Sequence, residues 1–191
     1  MEKATVNKVT SKDGTPIAYY RTGSGPAVII VSGALGTGTD PMHVELADLL
    51  ASRFTVYNYD RRGRGESGDT PPYAVEREIE DIEALIDEAG GSASLYGLSS
   101  GAVLALEAAN ALPGKVKKVA LYEPPVITNA DTFPPLPADY VERQANLVAE
   151  GRRGDAVALF MKTVGVPAEY IEPMRQDPSW AGMEGVAHTL P

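Results

Sequence analysis

Cysteine is absent from the 191-residue sequence. The chain can therefore have neither a disulfide framework nor a thiolate metal site, and we predict no metal site at all. Long apolar runs are also lacking. The longest, such as Ala27–Val31, are far shorter than the roughly 20 residues of a transmembrane helix, and no apolar signal-peptide core lies in the first residues. These absences predict a soluble protein of the cytoplasm with no membrane partner.

Basic residues are outnumbered. Lysine and arginine total 17 against 26 aspartates and glutamates, which gives a net charge of −9 at pH 7. A field of this sign repels phosphate backbones, so we expect no nucleic-acid partner. The 43% of hydrophobic residues suffice for one compact domain, or for a domain with a small appendage.

Strand and helix patterns alternate between residues 27 and 122. Ala27–Val31 is an apolar run without alternation, as in a parallel strand that is buried on both faces. The alternation predicts an α/β fold with a mainly parallel sheet flanked by helices. The further predicted strands are 54–59, 93–98 and 116–122, the helices between them are 40–51, 75–89 and 100–112, and a hairpin joins strands 4–10 and 16–22.

The predicted helices differ in polarity. The helix at 75–89 has apolar side chains on one face and acidic ones over the rest, which predicts an amphipathic surface helix. The helix at 100–112 is apolar nearly all round and is expected to be buried. Beyond Pro124 only helical patterns recur, at 139–150, 155–163 and, more weakly, 168–175.

A five-residue pattern between a predicted strand and a predicted helix carries the main chemical signal. Residues 97–101 read G-x-S-x-G, the sequence of a turn that lifts a nucleophilic serine, here Ser99, above the carboxyl ends of the strands. The strained turn leaves no room for side chains two residues away, which explains the glycines. The N–H of Ser100 then begins a helix and is expected to bind a developing oxyanion. The alternative is a glycine-containing turn into a packed helix.

The loop after the first parallel strand is expected to supply the other oxyanion donor. It reads Ser-Gly-Ala-Leu-Gly over residues 32–36, and the backbone N–H of Ala34 is our candidate. The alternative is an ordinary flexible loop.

A third loop, at residues 60–67, begins a glycine pattern that is similar to a dinucleotide-binding motif. Gly63, Gly65 and Gly68 spell G-x-G-x-x-G after a strand, as in dinucleotide-binding proteins. The sequence Asp-Thr-Pro-Pro follows, and it excludes the helix whose N-terminus would meet a pyrophosphate. We therefore predict no dinucleotide cofactor.

The same loop holds three arginines, Arg61, Arg62 and Arg64. We expect them to pair with nearby acidic residues and hold the turn in place. Binding of an anionic ligand is the alternative, since guanidinium groups suit phosphates and carboxylates.

In order and spacing, three pieces resemble the α/β-hydrolase superfamily, specifically the small bacterial serine hydrolases with a helical cap. They are the loop at 60–67, the turn at 97–101, and the sequence Leu-Tyr-Glu-Pro-Pro at the end of the next strand. The resemblance covers residues 1–180. It implies a Ser–His–acid triad, an oxyanion hole, a cap over the pocket and no cofactor. A serine at position 99 distinguishes the chain from the dehalogenases and epoxide hydrolases, which carry aspartate there.

The resemblance also implies a division of the chain. Residues 1–124 form the N-terminal part of the core, 125–180 the helical cap, and 181–191 a tail that leads to an absent C-terminal part of the core. The last strands, with the acid and the histidine of the triad, are expected after residue 191, so the chain is interpreted as C-terminally truncated. The strand at 116–122 would then be an open edge, and we expect self-association there or binding of the missing segment.

Histidine is scarce, and neither copy fits the base of the triad well. The triad runs Ser, acid, His along the chain in this fold. His43 precedes Ser99 and is expected to be a surface or partly packed helix residue. His188 has no strand to deliver it to the sheet and is expected to be a cap or tail residue. Glu123, at the end of its strand, is a possible triad acid, or else it lines the pocket.

Two functions remain open on the sequence. The first is acyl hydrolysis of a small-molecule substrate, in which Ser99 attacks a carbonyl and the N–H groups of Ala34 and Ser100 stabilise the oxyanion. Ester, thioester, lactone, peracid and carbon–carbon substrates all fit. The second is a catalytically inactive binding or interaction protein, because a serine without its histidine is a weak nucleophile. For the 191-residue chain alone, we expect little or no turnover.

Overall fold

The computed structural model describes residues 5–126 and 136–191. The chain divides into two compact units, Met1–Pro125 and Val126–Pro191. Part of the predicted cap, residues 127–135, lies outside the described residues.

A six-stranded sheet forms the centre of the first unit, within its described residues. The strands are β1 (Val6–Thr10), β2 (Pro16–Gly23), β3 (Ala27–Val31), β4 (Thr55–Tyr59), β5 (Ala93–Leu98) and β6 (Val116–Tyr122). Their order is β1-β2-β4-β3-β5-β6, in which β1 and β2 form the predicted antiparallel hairpin and β4, β3, β5 and β6 run parallel. The mainly parallel sheet predicted from the sequence is confirmed.

Helices cover both faces of the sheet: α1 (Pro41–Leu50), α2 (Val75–Glu88) and α3 (Ser100–Ala111). Successive residues of β3 point to opposite faces, as the pleat requires. Ile29 and Val31 share one apolar cluster with side chains of α2 and α3, whereas Ile30 packs with Ala47 of α1. This two-sided burial explains why β3 has no polar residue.

The polarity predicted for two helices is wrong in part. Glu78 and Asp81 of α2 are buried rather than solvated, because arginines of the 60–67 loop pair with them. Helix α3 buries only the face that packs on the sheet, and its Val103 and Leu106 are exposed. A helix that is apolar all round therefore need not be buried all round.

The second unit is helical in its described part. It contains α4 (Tyr140–Ala149), α5 (Arg153–Thr163), α6 (Ala168–Met174), α7 (Trp180–Gly185) and a 3₁₀ turn, Ala187–Thr189. The sequence analysis assigned no element to 181–191, yet Val186 and Ala187 are buried there, and α7 packs against α5. Short helices of this kind are stabilised by packing rather than by propensity. None of the helices in the described ranges is long and apolar enough to cross a membrane.

Candidate active site

The carboxyl ends of three neighbouring parallel strands lie on the same side of the sheet. β5 lies between β3 and β6, and all three run parallel, with Val31 opposite Gly97. Ser32, Ser99 and Glu123, which follow the three strands, therefore come out side by side. The chain leaves β3 toward β4 on one side and returns to β5 on the other. Such a switch point is where open α/β sheets bind ligands.

Ser99 forms a sharp bend between β5 and α3. Its backbone has φ 54° and ψ −123°, a conformation that costs a non-glycine residue free energy and that clusters at functional sites. The residue is half-buried and precedes α3, but its side chain makes no capping hydrogen bond. Its N–H donates to the carbonyl of Tyr122 at 3.0 Å, which ties the bend to β6. The bend predicted at position 99 is confirmed.

Two glycines make this bend possible. A Cβ added to Gly97 would lie 2.6 Å from the Cα of Ala102. A Cβ added to Gly101 would overlap the carbonyl oxygens of Val31 and Ser32. Since all these obstacles are backbone atoms, no rotamer change relieves them. The structure confirms that the turn has no room for side chains at these positions.

The loop after β3, residues 32–40, lies beside the serine. A Cβ on Gly33 would be 3.6 Å from the Cβ of Ser99, an ordinary contact distance. At its far end the carboxylate of Asp60 accepts a hydrogen bond from the N–H of Gly38 at 2.7 Å. Buried hydrogen bonds of this kind are costly to break, because the freed polar groups have no water to replace the partner.

Nearer the serine, three successive carbonyl groups of this loop accept hydrogen bonds. Each bond fixes the plane of one peptide group. The group that begins with the carbonyl of Gly33 also contains the N–H of Ala34. The geometry therefore does not fit an ordinary flexible loop. The donors are Arg61 Nη1 to Ser32 at 3.2 Å, the N–H of Gly36 to Gly33 at 3.2 Å, and Arg64 Nε and Nη2 to Ala34 at 2.9 and 2.6 Å.

Two arginines of the 60–67 loop form buried ion pairs with α2. Arg61 donates to Glu78 through Nε and Nη2, both at 2.6 Å. Arg62 donates to Asp81 at 2.9 and 2.7 Å and to Asp13 at 2.9 Å. The prediction that the three arginines hold the turn by pairing with acids is confirmed for Arg61 and Arg62.

Arg64 differs from its two neighbours, because backbone carbonyls accept three of its hydrogen bonds. Besides Ala34, the carbonyl of Arg62 accepts from it, at 2.9 Å. No helix begins within residues 63–68 of the described chain; the next one, α2, starts at Val75. The context that a dinucleotide-binding glycine motif needs is therefore lacking, as predicted.

Charges in this cluster stabilise one another. Burial alone would lower the pKa of Arg61 and raise that of Glu78, but their mutual attraction outweighs burial, and each pKa moves the other way. Burial, followed by the nearby charge of Arg61, lowers the pKa of Arg64 to about 10. Burial and the charge of Glu78 raise the pKa of Tyr73, which donates to Glu78, to about 12. At neutral pH Arg61, Arg64 and Glu78 are therefore all charged.

Glu123 follows β6 and adopts φ 46°, a left-handed conformation that is uncommon for a non-glycine residue. Its side chain is exposed. Because the N–H of Ser99 binds the carbonyl of Tyr122, Glu123 comes out next to the serine along the sheet edge. This position is compatible with an acid or with a pocket-lining residue, and its role stays a prediction.

The two histidines are in different units. His43, in α1, is buried, so the expected surface or partly packed position is wrong. Its Nδ1 lies 3.2 Å from the carbonyl of Thr37, because α1 turns back against the loop that precedes it. His188 is half-buried in the 3₁₀ turn of the second unit. No cluster of three or more histidines and acids suited to a metal occurs in residues 5–126 or 136–191.

The sequence analysis missed the side chains that hold the 32–40 loop. Asn58 interrupts the apolar β4, is buried, and donates to the carbonyl of Gly38 at 2.6 Å. Asp60 is buried directly after β4. A polar residue inside an otherwise apolar strand was the available signal, since buried polar groups need partners.

Comparisons with known proteins agree with this fold. The sequence model of the alpha/beta hydrolase family matches residues 28–190. A solved alpha/beta hydrolase from Sphaerobacter thermophilus is 55% identical, superposes with a TM-score of 0.84, and aligns with 97% of this chain and 71% of its own.

Curated relatives match a little over three fifths of the chain. An uncharacterized hydrolase of Bacillus subtilis, YraK, is 34% identical over 125 residues, which are 63% of this chain and 45% of YraK. The mouse protein serine hydrolase BPHL is 30% identical over 125 residues, 62% of this chain and 43% of its own. The matched segments thus span less than half the length of these relatives.

Proposed function

Because this chain belongs to the alpha/beta hydrolase family, we propose that it is, or is part of, a serine hydrolase that cleaves acyl bonds of small molecules with Ser99 as nucleophile. The observation that carries the proposal is the strained bend at Ser99 beside a loop whose carbonyls at residues 32–34 all accept hydrogen bonds. The mouse relative, named a serine hydrolase, supports the choice of a serine nucleophile.

The reaction begins when the hydroxyl oxygen of Ser99 attacks the acyl carbonyl carbon. A general base takes the hydroxyl proton, and the carbonyl electron pair becomes an oxyanion. The N–H groups of Ala34 and Ser100 bind that oxyanion, and each such donor contributes about 3–4 kcal/mol. Collapse of the intermediate expels the protonated leaving group and leaves an acyl-serine ester, which water then hydrolyses.

The general base is assigned to neither histidine of the chain. His43 is buried, holds the carbonyl of Thr37, and precedes the serine in sequence. His188 belongs to the second unit. The expectation that the base and the acid follow residue 191 stays a prediction, as do Glu123 as an acid and the cap at 125–180.

Fluorophosphonate labelling tests the proposal. An activated serine attacks the phosphorus atom, so we expect the full-length protein to gain one phosphonyl group, located at Ser99 by peptide mass spectrometry. Ser99→Ala should not be labelled, whereas Ser52→Ala, a change at an exposed serine, should be labelled like the wild type. A full-length wild type that resists labelling would instead favour the catalytically inactive binding protein.

The outer strand β6 concerns a second prediction, which is self-association of the chain or binding of a further segment. β6 ends the sheet in the described part of the chain, so one side of its backbone is unpaired there. Self-association through this edge, or binding of a further segment, stays a prediction, and so does the cytoplasmic location.

A further inference from the structure

Several buried charged residues lie against the 32–40 loop, and we call three of them, Arg61, Arg64 and Glu78, the arginine clamp. We propose that Arg61 and Arg64 are positioning residues that aim the N–H of Ala34 at the oxyanion of the reaction. The inference rests on the proposed function of Ser99.

The arginine clamp holds the chain on both sides of the Gly33–Ala34 peptide group. A trans peptide fixes its N–H opposite its carbonyl, so the direction of the Ala34 N–H depends on rotation of the Gly33–Ala34 peptide. Arg61 holds the carbonyl of Ser32 before this peptide, and Arg64 holds that of Ala34 after it, with two donors on one oxygen. The Gly33 carbonyl itself accepts from the N–H of Gly36, and anchoring both neighbouring peptides further restricts the rotation.

Arg61 also reaches the second half of the oxyanion hole. Its Nη1, which donates to Ser32, lies 3.5 Å from the hydroxyl oxygen of Ser100. The rest of the guanidinium is fixed by Glu78 through two bonds of 2.6 Å. One planar, charged group therefore connects the loop that carries one oxyanion donor with the residue that carries the other.

The charges of the arginine clamp also favour stabilisation of the oxyanion. Arg61 and Arg64 both donate to the loop that carries the Ala34 N–H, and cationic groups near a developing negative charge favour the transition state. Burial and the charge of Arg61 oppose the charge on Arg64, as the lowered pKa of Arg64 shows. Arg64 nevertheless directs two of its donors to the loop beside the serine.

Arg62 offers a matched control. It lies in the same loop, is fully buried, and forms a bidentate pair with Asp81 of α2, as Arg61 does with Glu78. The other hydrogen bonds described for its side chain go to Asp13 and the carbonyl of Arg77; only its backbone carbonyl, which a side-chain change leaves in place, contacts Arg64. Arg62 is thus buried and paired with α2 as Arg61 is, but its side chain has no described hydrogen bond to the 32–40 loop.

The test compares Arg64→Lys, Arg64→Gln and Arg61→Lys with Arg62→Lys in the full-length protein, with a p-nitrophenyl ester as substrate. We expect the clamp variants to lower kcat about 10- to 100-fold with KM nearly unchanged, because the oxyanion forms only in the transition state. Arg64→Lys should retain more kcat than Arg64→Gln. Arg62→Lys should lower the thermal midpoint as much as the clamp variants do but keep kcat within about threefold of wild type. All kcat values are calculated per amount of folded protein, which circular dichroism measures.

Failure of the inference differs from failure of the proposed function. Clamp variants that lose no more kcat than Arg62→Lys, while Ser99→Ala is inactive, would show that the arginines only stabilise the fold. An active Ser99→Ala protein would overturn the proposed function and the inference together. If Arg64→Gln does not fold, Arg64→Lys and Arg61→Lys decide the question.

Discussion

The Ser99→Ala variant of the full-length protein is expected to lose at least about 10⁴-fold in kcat/KM for its ester substrate, since removal of a nucleophilic serine has effects of this order or larger in related chemistry. Alanine removes the only atom that forms the covalent bond to the acyl group. It leaves the backbone N–H of Ser100 and the 32–40 loop in place. Steady-state kinetics, followed by spectrophotometric detection of the released alcohol, measure the loss.

The fold should tolerate this change, because the side chain of Ser99 makes no capping hydrogen bond to α3. An unchanged thermal midpoint is therefore the control that separates lost chemistry from lost structure. Activity within about tenfold of wild type would show that another group is the nucleophile.

The Gly101→Ala variant is expected to lose stability and activity together. Its added methyl group would overlap the carbonyl oxygens of Val31 and Ser32, so α3 and the end of β3 must separate. Overpacking of this kind costs about 3 kcal/mol of the free energy of unfolding. Separation also moves the N–H of Ser100 away from that of Ala34, and a displacement of about 1 Å lowers the rate roughly 100-fold. Urea unfolding and steady-state kinetics measure the two losses.

Gly182→Ala is the matched control for this glycine change. A Cβ at position 182 would meet nothing within 4 Å, and the residue lies inside α7. We expect its free energy of unfolding to stay the same or to rise by up to about 1 kcal/mol, because alanine favours the helix. If Gly101→Ala behaved like Gly182→Ala, the close approach at the turn would be wrong.

Local sequence patterns predict most of the sheet. The uninterrupted apolar run of β3 indicates burial on both faces, and the Asp13-Gly14 turn indicates the hairpin between β1 and β2. The turn at Ser99 is also predictable, because its two glycines are demanded by neighbours close in sequence and by the strand beside it. These features depend on periodicity and on backbone sterics, both of which can be read from adjacent residues.

Features that depend on distant partners are not predictable in this way. Glu78 looks like any other acid on the polar face of α2, and only the packing of the 60–67 loop shows that Arg61 buries it. His43 looks like a surface helix residue until α1 folds back on the loop before it. The role of Arg64 is a hydrogen bond between residues 30 positions apart, for which the sequence has no periodic signal.

The most direct test of the account is a crystal structure of the protein after reaction with a fluorophosphonate. We predict a covalent bond from phosphorus to Oγ of Ser99, with the phosphoryl oxygen about 2.7–3.1 Å from the backbone nitrogens of both Ala34 and Ser100. An adduct on another residue, or a phosphoryl oxygen directed away from these two N–H groups, would contradict it.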